Sequence, residues 1–257
     1  MSTVTGERVK ATKVNGAVLY QGPSELDGAP IVVVVTGLGD SSKNRKTGKM
    51  LQTWILRADV SPAEAILTGK DSSVCGNCKH RRNTGGACYV VVEQAPLMVW
   101  RTWQRGRYAD WSKSFPANVL AGRVVRLGSY GDPAAVPFNV WRRVFEQKIA
   151  GWTGYTHQWQ RAGSQRLRNI VMASVDNPSE ANRARAQGWR YFRVALAGES
   201  KDPSEVICPA SEEMGKLTTC ETCGLCQGQR KTAKDVVIAP HGYLVGRIKG
   251  RSLPMAN

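Results

Sequence analysis

The amino-acid sequence predicts an α/β protein, a partial (β/α) barrel with an N-terminal β-hairpin and two cysteine metal-binding loops. Two observations carry the barrel. From residue 122 onward, short apolar runs alternate with helix-like segments, the pattern of parallel strands joined by crossovers. Each run also breaks into a polar loop at its C-terminal end, where open α/β sheets and barrels place their sites. A third observation carries the loops: the seven cysteines of the 257-residue chain fall into two groups. This divides the chain into an arm and hairpin over residues 1–60 and a barrel-like metal-binding domain over residues 61–257.

Residues 1–28 are polar and glycine-containing, a loose arm or a short leading hairpin. APIVVVVTGL then reads as a buried strand, GDSSKNRKTGK as a basic turn and MLQTWILR as the antiparallel partner. The turn is no phosphate loop, because Gly48 and Lys49 are followed by Met50 rather than serine or threonine. SPAEAIL starts a helix, with Ser61 as N-cap, Pro62 at the first helical position and Glu64 placed to close a capping box. After Cys88, YVVV is strand-like, and APLMVWRTWQRGRY is a helix whose tryptophans read as core.

The regular half follows. GRVVRLGSYGDP, GWTGYTHQW, IVMASVDNP, WRYFRVAL, EVICPAS and DVVIAPHG each read as a strand, and most run on into a polar loop. VPFNVWRRVFEQK and SEANRARAQG supply helices between them. The loops present Asp132, His157 and Asp176 as candidate proton-transfer or substrate-orienting groups. Ser129, Tyr130, Gln158 and Asn177 are candidates for holding a cofactor, and Tyr155, Thr156, Cys208 and His241 are further polar residues on the same set of strand-end loops. The competing reading is plain turn chemistry, since Asp132-Pro133 and Asn177-Pro178 are ordinary breakers and helix starters.

Cys75 and Cys78 form a CxxC, and Cys88 follows after nine residues. Cys208, Cys220, Cys223 and Cys226 make a second, four-membered group. An odd count cannot pair completely as disulfides within one chain, so metal ligation is the better reading. Zinc would take the four thiolates of the second group, and in the first the three cysteines plus His80. A [4Fe-4S] cluster would take the same four thiolates, and in the first group would leave one iron without a cysteine ligand. Ligands from both segments sharing one site is a third arrangement that spacing allows.

Lysine and arginine outnumber acids 36 to 20, giving +16, a balance that favours a polyanionic partner such as DNA or RNA. Twelve basic residues against three acids fall within residues 101–170. The nucleic-acid candidates among them are Arg101, Arg105, Arg107, Arg123, Arg126, Arg142 and Arg143. No apolar stretch is long enough to span a bilayer and the opening residues lack a signal-peptide core, so the expectation is a cytoplasmic protein with no membrane partner.

The segments CGNCKHRRNTGGACYV, QAPLMVWRTWQRGRY, RLGSYGDPAAVP, GYTHQW, ASVDNP and CPAS with CETCGLCQG resemble a family of largely uncharacterised cysteine-cluster proteins from phages and mobile elements. The likeness covers about residues 30–245. More distantly, the three-cysteine segment is similar to phage families whose segment ends in CYA, and through them to radical SAM iron-sulfur barrels. The resemblance implies a [4Fe-4S] cluster on Cys75, Cys78 and Cys88 that binds S-adenosylmethionine, an auxiliary cluster on the second group, and a bacterial host cytoplasm as location. Radical SAM enzymes typically carry CxxxCxxC, whereas this chain has CxxC, nine residues, then C. The function expected is a cysteine-ligated metalloprotein that acts on or binds nucleic acid; the alternative is a non-catalytic DNA- or RNA-binding protein with structural metal sites.

Overall fold

The structure, a computed structural model, describes residues 15–39, 44–196, 199–230 and 232–248. The first three strands are β1 (Gly16–Pro23), β2 (Pro30–Thr36) and β3 (Leu51–Arg57), paired antiparallel in chain order. Five consecutive residues of β2, Ile31 to Val35, are fully buried, which explains a β-branched run without polar alternation. Helix α1 (Pro62–Leu67) begins as its sequence predicts: the Ser61 hydroxyl accepts from the Glu64 amide at 3.2 Å. The single turn α2 (Ser72–Cys75) and helix α3 (Ala95–Gln104) flank the first cysteine segment, and the two-residue β4 (Ala109–Asp110) lies parallel to β1.

Strands and helices then follow as β5 (Val124–Tyr130), α4 (Phe138–Phe145), β6 (Gly151–Thr156), β7 (Met172–Val175), α5 (Pro178–Ala186), β8 (Tyr191–Val194) and β9 (Glu205–Ile207), with a 3-10 turn (Ala162–Leu167) between β6 and β7 and no helix among the described residues between β8 and β9. The turn α6 (Cys220–Cys223) and β10 (Asp235–Ile238) follow. All ten strands belong to one sheet in the order β4-β1-β2-β3-β5-β6-β7-β8-β10-β9, parallel from β3 onward and not closed into a ring. The chain is therefore α/β with a mostly parallel mixed sheet. Asn177 caps α5 through a 2.9 Å bond from the Glu180 amide, as expected of an Asn-Pro helix start.

Two local readings need revision, and a third gains a contact. Part of the supposed arm, Gly16–Pro23, is the strand β1, and residues 1–14 lie outside the described chain. YVVV after Cys88 is not a strand: the Val90 carbonyl accepts from the Arg82 guanidinium, and the Val91 and Val92 carbonyls accept from the amides of Gln94 and Leu97 at the start of α3. The basic turn between β2 and β3 includes residues 40–43, which are not described, but its remainder docks on the second cysteine group. There the Cys220 amide donates to Lys46 O at 2.8 Å and the Lys49 amide to Glu221 at 2.8 Å. Trp100 and Trp103 pack against the core as expected, Trp100 donating to Arg57 O. No helix among the described residues is long and apolar enough to cross a membrane.

Candidate functional site

A cavity of about 410 Å³ opens at the C-terminal ends of the parallel strands. Ser129 and Tyr130 reach it from β5, Thr153 and Tyr155 from β6, Ser174 from β7, Phe192 and Val194 from β8, and Ile238 from β10; Asp132, His157 and His241 come from the loops beyond. The period-two spacing of Thr153, Tyr155 and His157, and of Phe192 and Val194, follows from strands that turn one face to the cavity. Cys75, Cys78 and Cys88 line one part of the wall and Cys208 and Cys220 another, so segments more than a hundred residues apart face the same space. Cys208, Cys220, Cys223 and Cys226 also surround a small pocket of their own, walled by Tyr155 and Val236.

Each cysteine loop is fixed by buried polar contacts. In the first, Arg81 forks onto Asp71 at 2.6 and 3.1 Å and bonds the carbonyls of Gly69 and Gly76. Gly76 sits at φ +59° and ψ −135°, and a Cβ there would lie 2.3 Å from the Gln158 amide, which itself donates to Cys75 O at 3.1 Å. Gly76→Ala is expected to lower stability by about 1–3 kcal/mol from backbone strain alone, read by chemical denaturation. In the second, the buried Arg190 donates to the carbonyls of Leu225, Gln227 and Lys234 at 2.6 to 2.7 Å and so clamps the chain on both sides of Cys226.

Burial raises the thiol pKa values. It carries Cys75 and Cys78 well above the ordinary range, with neighbouring thiols adding to the shift. Cys88 and Cys220 rise for the same reason, and Cys208 reaches about 11 and Cys226 about 12. Thiols so placed resist ionisation until a cation arrives, because a coordinated thiol is deprotonated outright. The Tyr130 hydroxyl, facing the cavity shared with Cys75 and Cys88, is buried without a hydrogen-bond partner among the described residues. A water or ligand in the cavity would supply the missing partner.

The remaining candidates separate. Asp132 is buried, accepts from the amides of Ala134 and His157, and has its pKa pushed up to about 6 by burial. His157 is driven down to about 4 by burial, so it is a neutral imidazole at pH 7. Its Nε2 lies 3.0 Å from the Ser174 hydroxyl. Ser129 donates to Gln52 at the cavity wall. Asn177 is committed to its helix cap and Gln158 to the Cys75 carbonyl.

Of the arginines, Arg123 and Arg143 bond backbone carbonyls, Gly37 O at 3.0 Å for the first and Trp111 O and Ser112 O at 2.7 Å for the second. Arg126 lines the cavity and donates to Tyr89 at 2.6 Å. Arg142 is exposed and 3.5 Å from Glu146, while Arg101, Arg105 and Arg107 are exposed in and just after α3.

The sequence reading did not bring His80, His157 and Asp176 together. His80, the fourth ligand of the first group on the zinc reading, has its Nε2 2.8 Å from Asp176 Oδ1 and stands edge to face with His157. Among the described residues, His80, His157 and Asp176 bring three ligand atoms within 4.8 Å of one another, and no three of the seven thiols come that close.

Fold and site together define an α/β protein with an open, mostly parallel sheet and two thiol groups bordering one cavity at the strand ends. No protein-family model, curated protein or solved structure matches the chain.

Proposed function

We propose that the protein is an iron-sulfur metalloenzyme of radical SAM-like type, whose sheet curves as a partial barrel around a substrate cavity. The observation that carries this reading is the convergence of both cysteine groups on that one cavity. Cys75, Cys78 and Cys88 would hold a [4Fe-4S] cluster with one iron open to the cavity, and Cys208, Cys220, Cys223 and Cys226 an auxiliary cluster. When bound, the open cluster would supply one-electron chemistry on S-adenosylmethionine. The chain's own part is to exclude water from an apolar cavity, to orient substrate with Ser129 and Arg126, and to accept a proton at Asp132, whose pKa of about 6 suits a base near neutral pH.

Equilibrium dialysis of anaerobically purified protein tests this. S-adenosylmethionine is expected to bind the wild-type protein and to be lost with Cys88→Ala; equal retention by both would contradict the reading.

The second reading, a nucleic-acid-binding protein in which zinc or iron-sulfur centres only staple the fold, is favoured by the exposed Arg101, Arg105 and Arg107. The two readings share a polyanionic partner, which the charge of +16 supports. Replacing all three arginines by alanine is expected to weaken DNA or RNA binding across sequences and to lower the log–log salt slope by roughly three, measured by fluorescence anisotropy. An unchanged slope would place the nucleic-acid contact elsewhere.

A further inference from the structure

We propose a third metal position, free of cysteine: a mononuclear site formed by His80, His157 and Asp176 that takes a divalent cation preferring nitrogen and oxygen ligands, such as Mn²⁺ or Fe²⁺. Three independent segments deliver these side chains, the loop after Cys78, the end of β6 and the end of β7. Their ligand atoms lie within 4.8 Å of one another, and both histidines face the cavity. Two imidazoles and one carboxylate on one side of an ion leave its other positions open, an arrangement that suits Fe²⁺ and related cations rather than a closed structural site. Here the open side meets the cavity, where oxygen donors of a substrate phosphate or carboxylate can complete the coordination.

The surroundings hold the carboxylate in place. Asp176 turns Oδ1 to His80, while Lys79 stands 3.7 Å from Oδ2 and pairs with Glu180. Glu180 also accepts from the Asp176 amide at 2.9 Å. The Lys79 side chain is 61% exposed, so it can swing away when a cation neutralises Asp176. Lys79 is thus a competitor for the same charge, and its removal strengthens the site.

The test is a titration of anaerobically purified protein with Mn²⁺ alone, following the free-ion EPR signal, since Mn²⁺ shuns thiolates. The wild-type chain is expected to bind one Mn²⁺ below about 1 mM, with affinity at least about tenfold lower in His80→Gln and Asp176→Asn. Lys79→Ala is expected to bind roughly fivefold tighter. No uptake by the wild type, or equal affinity in all four proteins, overturns the proposal. Iron content measured in the same samples reports whether the variants keep their cysteine sites. Should a ligand variant fail to fold, Lys79→Ala still decides the question, because unchanged affinity there excludes an ion at Asp176. The site uses no thiol, so failure of the iron-sulfur reading leaves this outcome intact.

Discussion

Cys88→Ala is expected to remove about four of roughly eight iron atoms per chain and all turnover, while leaving nucleic-acid affinity within about twofold. The division follows from geometry. Cys88 shares the cavity wall with Cys75 and Cys78, and its loop is pinned by the amide of Cys88 donating to His80 O at 2.8 Å, so the backbone survives loss of the thiol. The exposed arginines Arg101, Arg105 and Arg107 belong to or follow α3, away from that ligand set in the chain. Metal analysis beside a binding isotherm reads both halves at once. Equal loss of iron and of nucleic-acid affinity would mean that the cluster loop and the binding surface are one unit.

The largest expected effect on stability is at Glu205, where alanine should cost about 3–5 kcal/mol. Glu205 and Arg193 are almost fully buried and form a bidentate pair with both contacts at 2.7 Å, and Arg193 also reaches Glu199 at 2.6 Å. Their strands, β9 and β8, are not neighbours, because β10 lies between them, so the pair ties three strands together. Glu205→Ala leaves a buried guanidinium with only Glu199 and the Ser200 carbonyl as partners, whereas Glu205→Gln keeps the shape and loses the charge.

The pH dependence has a definite sign. Burial opposes ionisation of Glu205, but Arg193 and the Asp202 amide outweigh it and the pKa falls below the ordinary 4.5. The stability it contributes is therefore present above about pH 4.5 and is lost as pH falls through the folded-state value. Urea denaturation at a series of acidic pH values should show this loss in the wild type and a flatter profile in Glu205→Gln.

The parallel half of the sheet was legible because β5 to β10 are short apolar runs that each end in turn chemistry, and because Asn177-Pro178 marks its own helix start. YVVV was misread since β-branched composition says nothing about whether a neighbouring strand is available to pair; here the Arg82 guanidinium and the amides of Gln94 and Leu97 take the carbonyls of Val90 to Val92. Nor could composition reveal that β10 inserts between β8 and β9, a matter of long-range order. In the site, both cysteine groups could be read from spacing. The meeting of His80, His157 and Asp176 could not, because a CxxCxH segment and two strand ends come together only through the topology. The available hint was that His157 and Asp176 each directly follow a strand, at consecutive positions in the sheet.

Iron and acid-labile sulfide analysis with a visible spectrum, on protein purified without oxygen, decides whether the two thiol groups hold iron-sulfur clusters at a common cavity. Iron and sulfide are expected in equal amounts, with broad visible absorbance. Colourless protein containing about two zinc per chain would contradict the iron-sulfur reading.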